Sequence, residues 1–176
     1  MNIVFFDIET QRTFDEVGGR DNAHKLGLAV AVSYSTRDGQ FRHYTEGTVF
    51  DLIAELKAAD QVVGFNVLSF DYKVLQAYTE EALHQFPTVD LLDHIYRQLG
   101  FRVSLDNLAT ATLGIGKLAD GLQAVRWYKE GRIQDVIDYC RQDVEVTRRL
   151  YEYGKQNKQV KYRDRNYRLR PVSVRW

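Results

Sequence analysis

Cysteine is nearly absent. Cys140 is the single one among 176 residues, which excludes an internal disulfide. With no zinc-ligand spacing either, a reducing cytoplasm is the expected setting. Long apolar runs are missing as well: no stretch approaches the ~20 residues needed to span a bilayer. Met1–Phe6 carries no basic residue and meets Asp7 too early for a signal peptide. No internal repeat or linker interrupts the chain, and no Ser/His or Cys/His pair suggests a covalent nucleophile. Net charge is lacking too, with 24 Lys and Arg against 24 Asp and Glu. That balance conceals an asymmetry, because from Lys155 to Trp176 eight bases face one acid, Asp164. The rest of the chain is therefore acidic. Such a division suits a protein that holds cations in one place and phosphates in another, although a merely solvated tail has the same composition.

What is present is ordinary for a globular chain, 44% hydrophobic and 27% charged, with two prolines. The length fits one domain with a real core. We read residues 1–154 as that domain and residues 155–176 as a basic tail. Asn2–Thr10 (NIVFFDIET) reads as a buried central strand with acids only at its end. Gln11–Lys25 is a long polar loop, a length often tied to function. Leu28–Ser35 and Gln40–Thr45 form strands joined at Arg37-Asp38-Gly39 as a hairpin. Val49–Ala59 has helical spacing, Gln61–Phe65 is a short strand, and Asp71–Phe86 reads as one helix. Pro87–Leu92 begins as a strand and runs into a helix as far as Leu99. Ser104 offers a cap to a helix that ends at Gly114 or Gly116. Ala119–Glu130 and Ile133–Tyr153 are the last helices. Val160–Trp176 alternates basic with apolar residues, as either a terminal hairpin or an extended arm.

Within the last helix, Tyr139 stands four residues before Asp143, so phenol and carboxylate share a face. Asp7 and Glu9 also share a face, since side chains alternate along a strand. Two neighbouring acids at the end of an apolar strand repel each other and resist desolvation. A bound magnesium or manganese ion would offset that cost; acids capping a strand edge in water would need none. Asp71 falls near a helix amino terminus, which favours a carboxylate, and Asn66 and Phe70 put an amide and a ring beside it. Cys140 lies on the apolar stripe and reads as core. Asp90 and Asp93 read as helix-start acids.

Asp7-Ile8-Glu9-Thr10, Asn66-x-x-x-Phe70-Asp71 and Tyr139-x-x-x-Asp143, in that order, resemble the three exonuclease motifs of the DEDD superfamily. The tyrosine variant is that of the proofreading domain of family B DNA polymerases and their stand-alone relatives. The resemblance covers Ile3–Tyr151. It implies a ribonuclease H-like α/β fold, which the element order also matches. Its sheet would be mixed and five-stranded, in order 3-2-1-4-5 with strand 2 antiparallel, flanked by helices. Ligands of such open sheets gather at the carboxyl ends of the strands, where Asp7 and Glu9 lie.

By the same resemblance, Asp7, Glu9, Asp71 and Asp143 would hold two divalent cations, Mg2+ or Mn2+, which clamp the attacking and leaving oxygens of an in-line displacement. Tyr139 would orient the attacking water. A sister group uses histidine at that place, but His24, His43, His84 and His94 match no catalytic position. The implied reaction removes nucleoside 5′-monophosphates from the 3′ end of single-stranded or frayed DNA. An exoribonuclease, or a nucleic-acid-binding module on the same fold, are the alternatives. Ile8, Thr10, Asn66, Phe70 and Lys117 are the expected substrate contacts. The tail's Lys161, Arg163, Arg165, Arg168 and Arg170, interleaved with aromatics, lie outside the resemblance and would add phosphate grip and stacking. A lone nuclease domain also suggests a polymerase or helicase that supplies substrate.

Overall fold

The stretch Ile3–Thr10 begins with a run, Ile3–Phe6, that is apolar on both of its faces, and that decides where it sits. In the computed structural model, which describes residues 1–116 and 121–176, it forms strand β1 (Ile3–Thr10) at the centre of a five-stranded sheet. β1 pairs antiparallel with β2 (Leu28–Ser35) and parallel with β4 (Gln61–Gly64). β3 (Gln40–Tyr44) lies outside β2, and β5 (Thr88–Asp90) lies parallel to β4. The order β3-β2-β1-β4-β5, with β2 antiparallel, is the one expected.

Alternation along β1 divides the core in two. Val4, Phe6 and Ile8 face α1 (Val49–Lys57) and α2 (Asp71–Leu75), among Leu52, Leu56 and Leu75. Ile3 and Phe5 face the other layer. That layer contains α3 (Leu91–Leu99), α4 (Leu105–Leu113), α5 (Gly121–Lys129) and the long α6 (Ile133–Asn157). Asp7 and Glu9 continue the row of Ile3 and Phe5, so the strand points its acids at the layer that holds α6. Among the described residues no helix is long and apolar enough to cross a membrane.

Three segments differ from the expected pattern. The helix expected over 71–86 stops at Leu75 and gives way to two 3₁₀ turns, Gln76–Tyr78 and Leu83–Gln85. Side chains compete for the backbone there: Gln76 Nε2 donates to the Thr79 and Glu81 carbonyls, and Thr79 Oγ1 accepts from the Glu81 N–H. The polar loop after β1 holds two 3₁₀ segments, Asp15–Val17 and Arg20–Lys25. The last helix runs past Tyr153 to Asn157, where Lys158 in a left-handed conformation closes it, and the Trp176 ring lies against Gly154 where an added Cβ would come within 2.4 Å of it.

The chain ends as the hairpin rather than the extended arm. β6 (Gln159–Arg163) and β7 (Leu169–Ser173) pair antiparallel. Val160, Tyr162, Val172 and Val174 join the core on the α6 side.

The turn after β4 is as tight as its residues permit. A Cβ on Gly64 would lie 2.2 Å from Val67 Cγ1, and Val67 is itself fully buried. Overpacking of this kind costs about 1–3 kcal/mol. Gly64→Ala is therefore expected to lower unfolding free energy by about that amount in chemical denaturation. Gly47→Ala, where the nearest atom is 3.9 Å from the added Cβ, should change it by less than about 0.5 kcal/mol.

Candidate active site

Three elements meet at the carboxyl end of β1. The strand brings Asp7 and Glu9. α6 lies across that face of the sheet and brings Tyr139, Cys140 and Asp143 along its buried side. Its apolar neighbours Val136, Val144 and Leu150 are packed into the core and set its rotation. As a result Asp7, Glu9 and Asp143 each offer a carboxylate oxygen, and the three atoms lie within 4.8 Å of one another. Tyr139 hydrogen-bonds to Asp143 one turn away and packs edge-on against Trp127, with ring centres 6.3 Å apart.

The third element is the β4–α2 turn. Asn66 takes a left-handed φ of 70°, a conformation asparagine tolerates better than most residues. Asp90, at the end of β5, holds this turn from below. Its carboxylate accepts from the backbone N–H of Asn66 (2.8 Å) and Leu68 (3.0 Å) while also capping α3 through Leu92 and Asp93. The turn delivers Asp71, only 2% exposed, whose Oδ1 accepts from the Ile8 N–H at 3.2 Å. Asp71 thus stands beside the triplet, tied to the backbone of the strand that carries the other two acids.

Burial shifts all four carboxyls upward, and crowding adds to it at Asp7 and Glu9. Burial, then the charges of Asp71, Glu9 and Asp143, raise Asp7 well above the usual carboxylate range; the Cys140 thiol partly opposes this. Burial and the charges of Asp143 and Asp71 raise Glu9. Burial pushes Asp71 up to about 8. It pushes Asp143 to about 7 against the Tyr139 hydrogen bond, with Asp106 adding repulsion. Burial and the surrounding carboxylates keep the Tyr139 phenol protonated. Among the described residues, Asp143 Oδ1 is a buried oxygen with no hydrogen-bond partner. An orphaned carboxylate oxygen beside two further acids is a hard, anionic donor set, and a divalent magnesium or manganese ion fits it.

Asp7, Glu9 and Asp71 line a cleft of about 370 Å³, near the lower end of the ~300–1,000 Å³ typical of ligand sites. Thr10, Asn66 and Phe70 line it. Thr10 is buried and donates its hydroxyl to the Arg12 carbonyl (2.9 Å). Ile8 borders the cleft, but its side chain is in the opposite core and its N–H is taken by Asp71. Lys117 lies outside the described residues. Several contributors escaped the sequence reading. Phe14, from the polar loop, meets Phe70 edge-on at 5.8 Å. Leu122 and Val125 of α5 form the facing wall, and Lys129 of α5 pairs with Glu16 of the loop. The Cys140 Sγ donates to the Asp7 carbonyl (3.3 Å). Phe14 carried one signal, an aromatic in an otherwise polar segment; Asp90 carried only that of an ordinary helix cap.

The sequence model of the RNase_H superfamily matches residues 4–154. No curated protein matches the chain. Among solved structures it is similar to the family B DNA polymerase from the hyperthermophilic archaeon Pyrobaculum calidifontis, with a TM-score of 0.66 and 18% identity. The match covers 88% of this chain and 24% of that polymerase, so the chain spans about a quarter of its length. At that identity the likeness is one of fold.

The raised carboxyls set a pH dependence with a definite sign. Between their unfolded values, about 4, and the folded values of about 7 for Asp143 and about 8 for Asp71, the metal-free folded protein holds protons that the unfolded chain has released. Stability must therefore fall as pH rises through that window. The melting temperature without metal should drop from pH 5 to pH 8. Millimolar Mn2+ should restore it at pH 8 and do little at pH 5, and Asp71→Asn should flatten the metal-free profile. A profile that rises over this range would contradict the crowding.

Proposed function

Because the chain belongs to the RNase_H superfamily, we propose that it is a metal-dependent 3′–5′ exonuclease of the tyrosine DEDD type. In this reading it removes nucleoside 5′-monophosphates one at a time from the 3′ end of single-stranded or frayed DNA. The observation that carries it is the convergence of Asp7, Glu9 and Asp143 oxygens within 4.8 Å, with Tyr139 bonded to one of them. The fold's likeness to a family B DNA polymerase supports DNA as the substrate.

Asp7, Glu9, Asp71 and Asp143 would hold two divalent cations, Mg2+ or Mn2+. When bound, the pair supplies positive charge to both the attacking and departing oxygens of an in-line displacement at phosphorus. The protein's own groups do the positioning. Tyr139, protonated throughout the working pH range, cannot serve as a base. Its hydroxyl donates to Asp143, and its oxygen accepts from the attacking water, which turns a lone pair toward phosphorus. The Phe14–Phe70 pair walls the cleft and offers ring surface to the terminal base. The Asn66 side-chain Oδ1 accepts from Arg102 Nη2 at 2.6 Å, and in this reading that guanidinium, beside a residue that lines the cleft, meets the phosphates. A cleft of about 370 Å³ confines the reacting end to single nucleotides rather than a duplex.

Incubation of 5′-labelled single-stranded DNA and RNA with Mg2+, Mn2+ or chelator tests this. A ladder shortening from the 3′ end on DNA, abolished by chelator, is the expected result. Asp143→Asn should lower kcat at least about 10²-fold. Tyr139→Phe, which leaves every carboxylate in place, should lower it about 10–100-fold. Binding without cleavage in either metal would overturn the enzymatic reading, and a ladder confined to RNA would overturn the choice of DNA.

A further inference from the structure

The terminal hairpin lies beyond the superfamily match, which ends at residue 154, and the chemistry above makes no use of it. Yet α4 holds it rigidly by side chains that pair with the β6 backbone as a neighbouring strand would. Thr112 Oγ1 donates to the Lys161 carbonyl (2.8 Å) and accepts from its N–H (2.9 Å). Asn107 does the same for Arg163, at 3.0 and 2.7 Å. The residue before Asn107 is Asp106, whose charge is felt by Asp143. The tip end of the hairpin is thus fastened at the amino end of α4, the end that carries Asp106.

A second connection runs to the same cleft. Tyr162 of β6 meets Phe101 edge-on at 5.8 Å, and Phe101 is 46% exposed. Its neighbour Arg102 is the residue bonded to Asn66 at the cleft rim. Cleft, guanidinium, exposed ring and basic hairpin therefore follow one another without a break.

The tip itself is arranged for display. Its one carboxylate, Asp164, is spent internally: it accepts from the Asn166 and Arg168 N–H groups, each at 2.9 Å, and from Arg170 Nε at 3.0 Å. Arg165 and Arg168 are exposed, and neither side chain makes an ion pair among the described residues. Between them stands Tyr167, 82% exposed, in a left-handed conformation with φ 59°. A bulky residue takes that conformation at a cost that asparagine or glycine would largely avoid. The turn holds this backbone, with the Tyr167 N–H donating to the Asp164 carbonyl at 2.9 Å and its carbonyl accepting from Arg163 Nη1 at 3.3 Å, while its ring packs on no other ring among the described residues.

We propose that the β6–β7 hairpin is a docking surface for single-stranded DNA, holding the strand upstream of the end that enters the cleft. Arg165 and Arg168 contact phosphates, and Tyr167 stacks on a base. Base–aromatic stacking with cationic phosphate contacts is how proteins track single strands without reading their sequence. Rigid anchoring on α4 means that little ordering cost falls on binding. The choice of DNA rests on the exonuclease reading above.

The two ideas separate because docking can be read without catalysis. Fluorescence anisotropy in chelator, with a labelled 25-nucleotide single strand, should show about a tenfold loss of affinity for the variant Arg165→Gln, Tyr167→Asn, Arg168→Gln. The slope of log affinity against log salt should fall by roughly 0.7 for each phosphate that is no longer neutralised. Arg165→Lys with Arg168→Lys should keep the slope, which distinguishes a charge contact from a disturbed fold. In Mn2+, hydrolysis of a dinucleotide, which has no upstream strand to lay on the hairpin, should be unchanged in the triple variant. Unaltered affinity and slope for the 25-mer, or no wild-type binding to it, would overturn the docking surface. Hairpin-dependent binding with no hydrolysis of either substrate would leave docking standing and overturn the exonuclease.

Discussion

Three carboxylates converge within 4.8 Å with a fourth beside them, all largely withdrawn from water, and the rest of the architecture answers to that constraint. Asp7 and Glu9 share one face of β1, Asp143 is pressed onto them by α6, and Asp71 is tied to the strand backbone through Ile8. Each carboxylate is burdened by burial first, and Asp7 and Glu9 also by the charges around them. Something must outweigh this penalty in the folded chain. Val4, Phe5, Phe6 and Ile8 are almost wholly buried on the same strand, and each such side chain contributes about 1.5–3 kcal/mol as an upper estimate. That is comparable to the several kcal/mol that buried charge costs. The strand can carry its acids because its apolar half anchors it on both faces.

Anchoring one strand is not enough, since the site needs oxygens from three elements. Rotation of α6 is set by Val136, Cys140, Val144 and Leu150 in the core. The β4–α2 turn is set by Gly64, where no Cβ fits, and by Asp90, which gathers the turn's N–H groups. Asp90 shows how one carboxylate supports another. It spends its oxygens on backbone amides so that Asp71 arrives with its own oxygens turned to the strand and the cleft.

Much of this was legible in the linear chain. Alternation along β1 predicts that Asp7 and Glu9 share a face, and the i, i+4 spacing predicts that Tyr139 and Asp143 do; both depend on local geometry alone. Which segments are helix and which are strand follows largely from hydrophobic periodicity, whereas the strand order was implied by the resemblance of the three motifs to the DEDD exonucleases. Other features were not legible. The 3₁₀ turns after Leu75 arise from Gln76 and Thr79 side chains competing with a helix that the apolar spacing favours. The Phe14–Phe70 contact joins a loop to a helix start 56 residues away, and no local pattern encodes such a meeting. The hairpin's docking on α4 depends on Asn107 and Thr112, polar residues of a kind that any solvent-facing helix carries.

By itself, then, the sequence determined what is periodic: which residues face together, where charge accumulates, and which elements alternate. Those properties depend on bond geometry repeated along the chain. Only the tertiary structure decided that oxygens from residues 7, 9 and 143 would lie within 4.8 Å, that Asp71 would stand beside them rather than among them, and that a basic hairpin would be fastened near the same cleft. Those distances come from packing two core layers against one sheet, where the volume of every buried side chain sets how closely the strands and helices can approach.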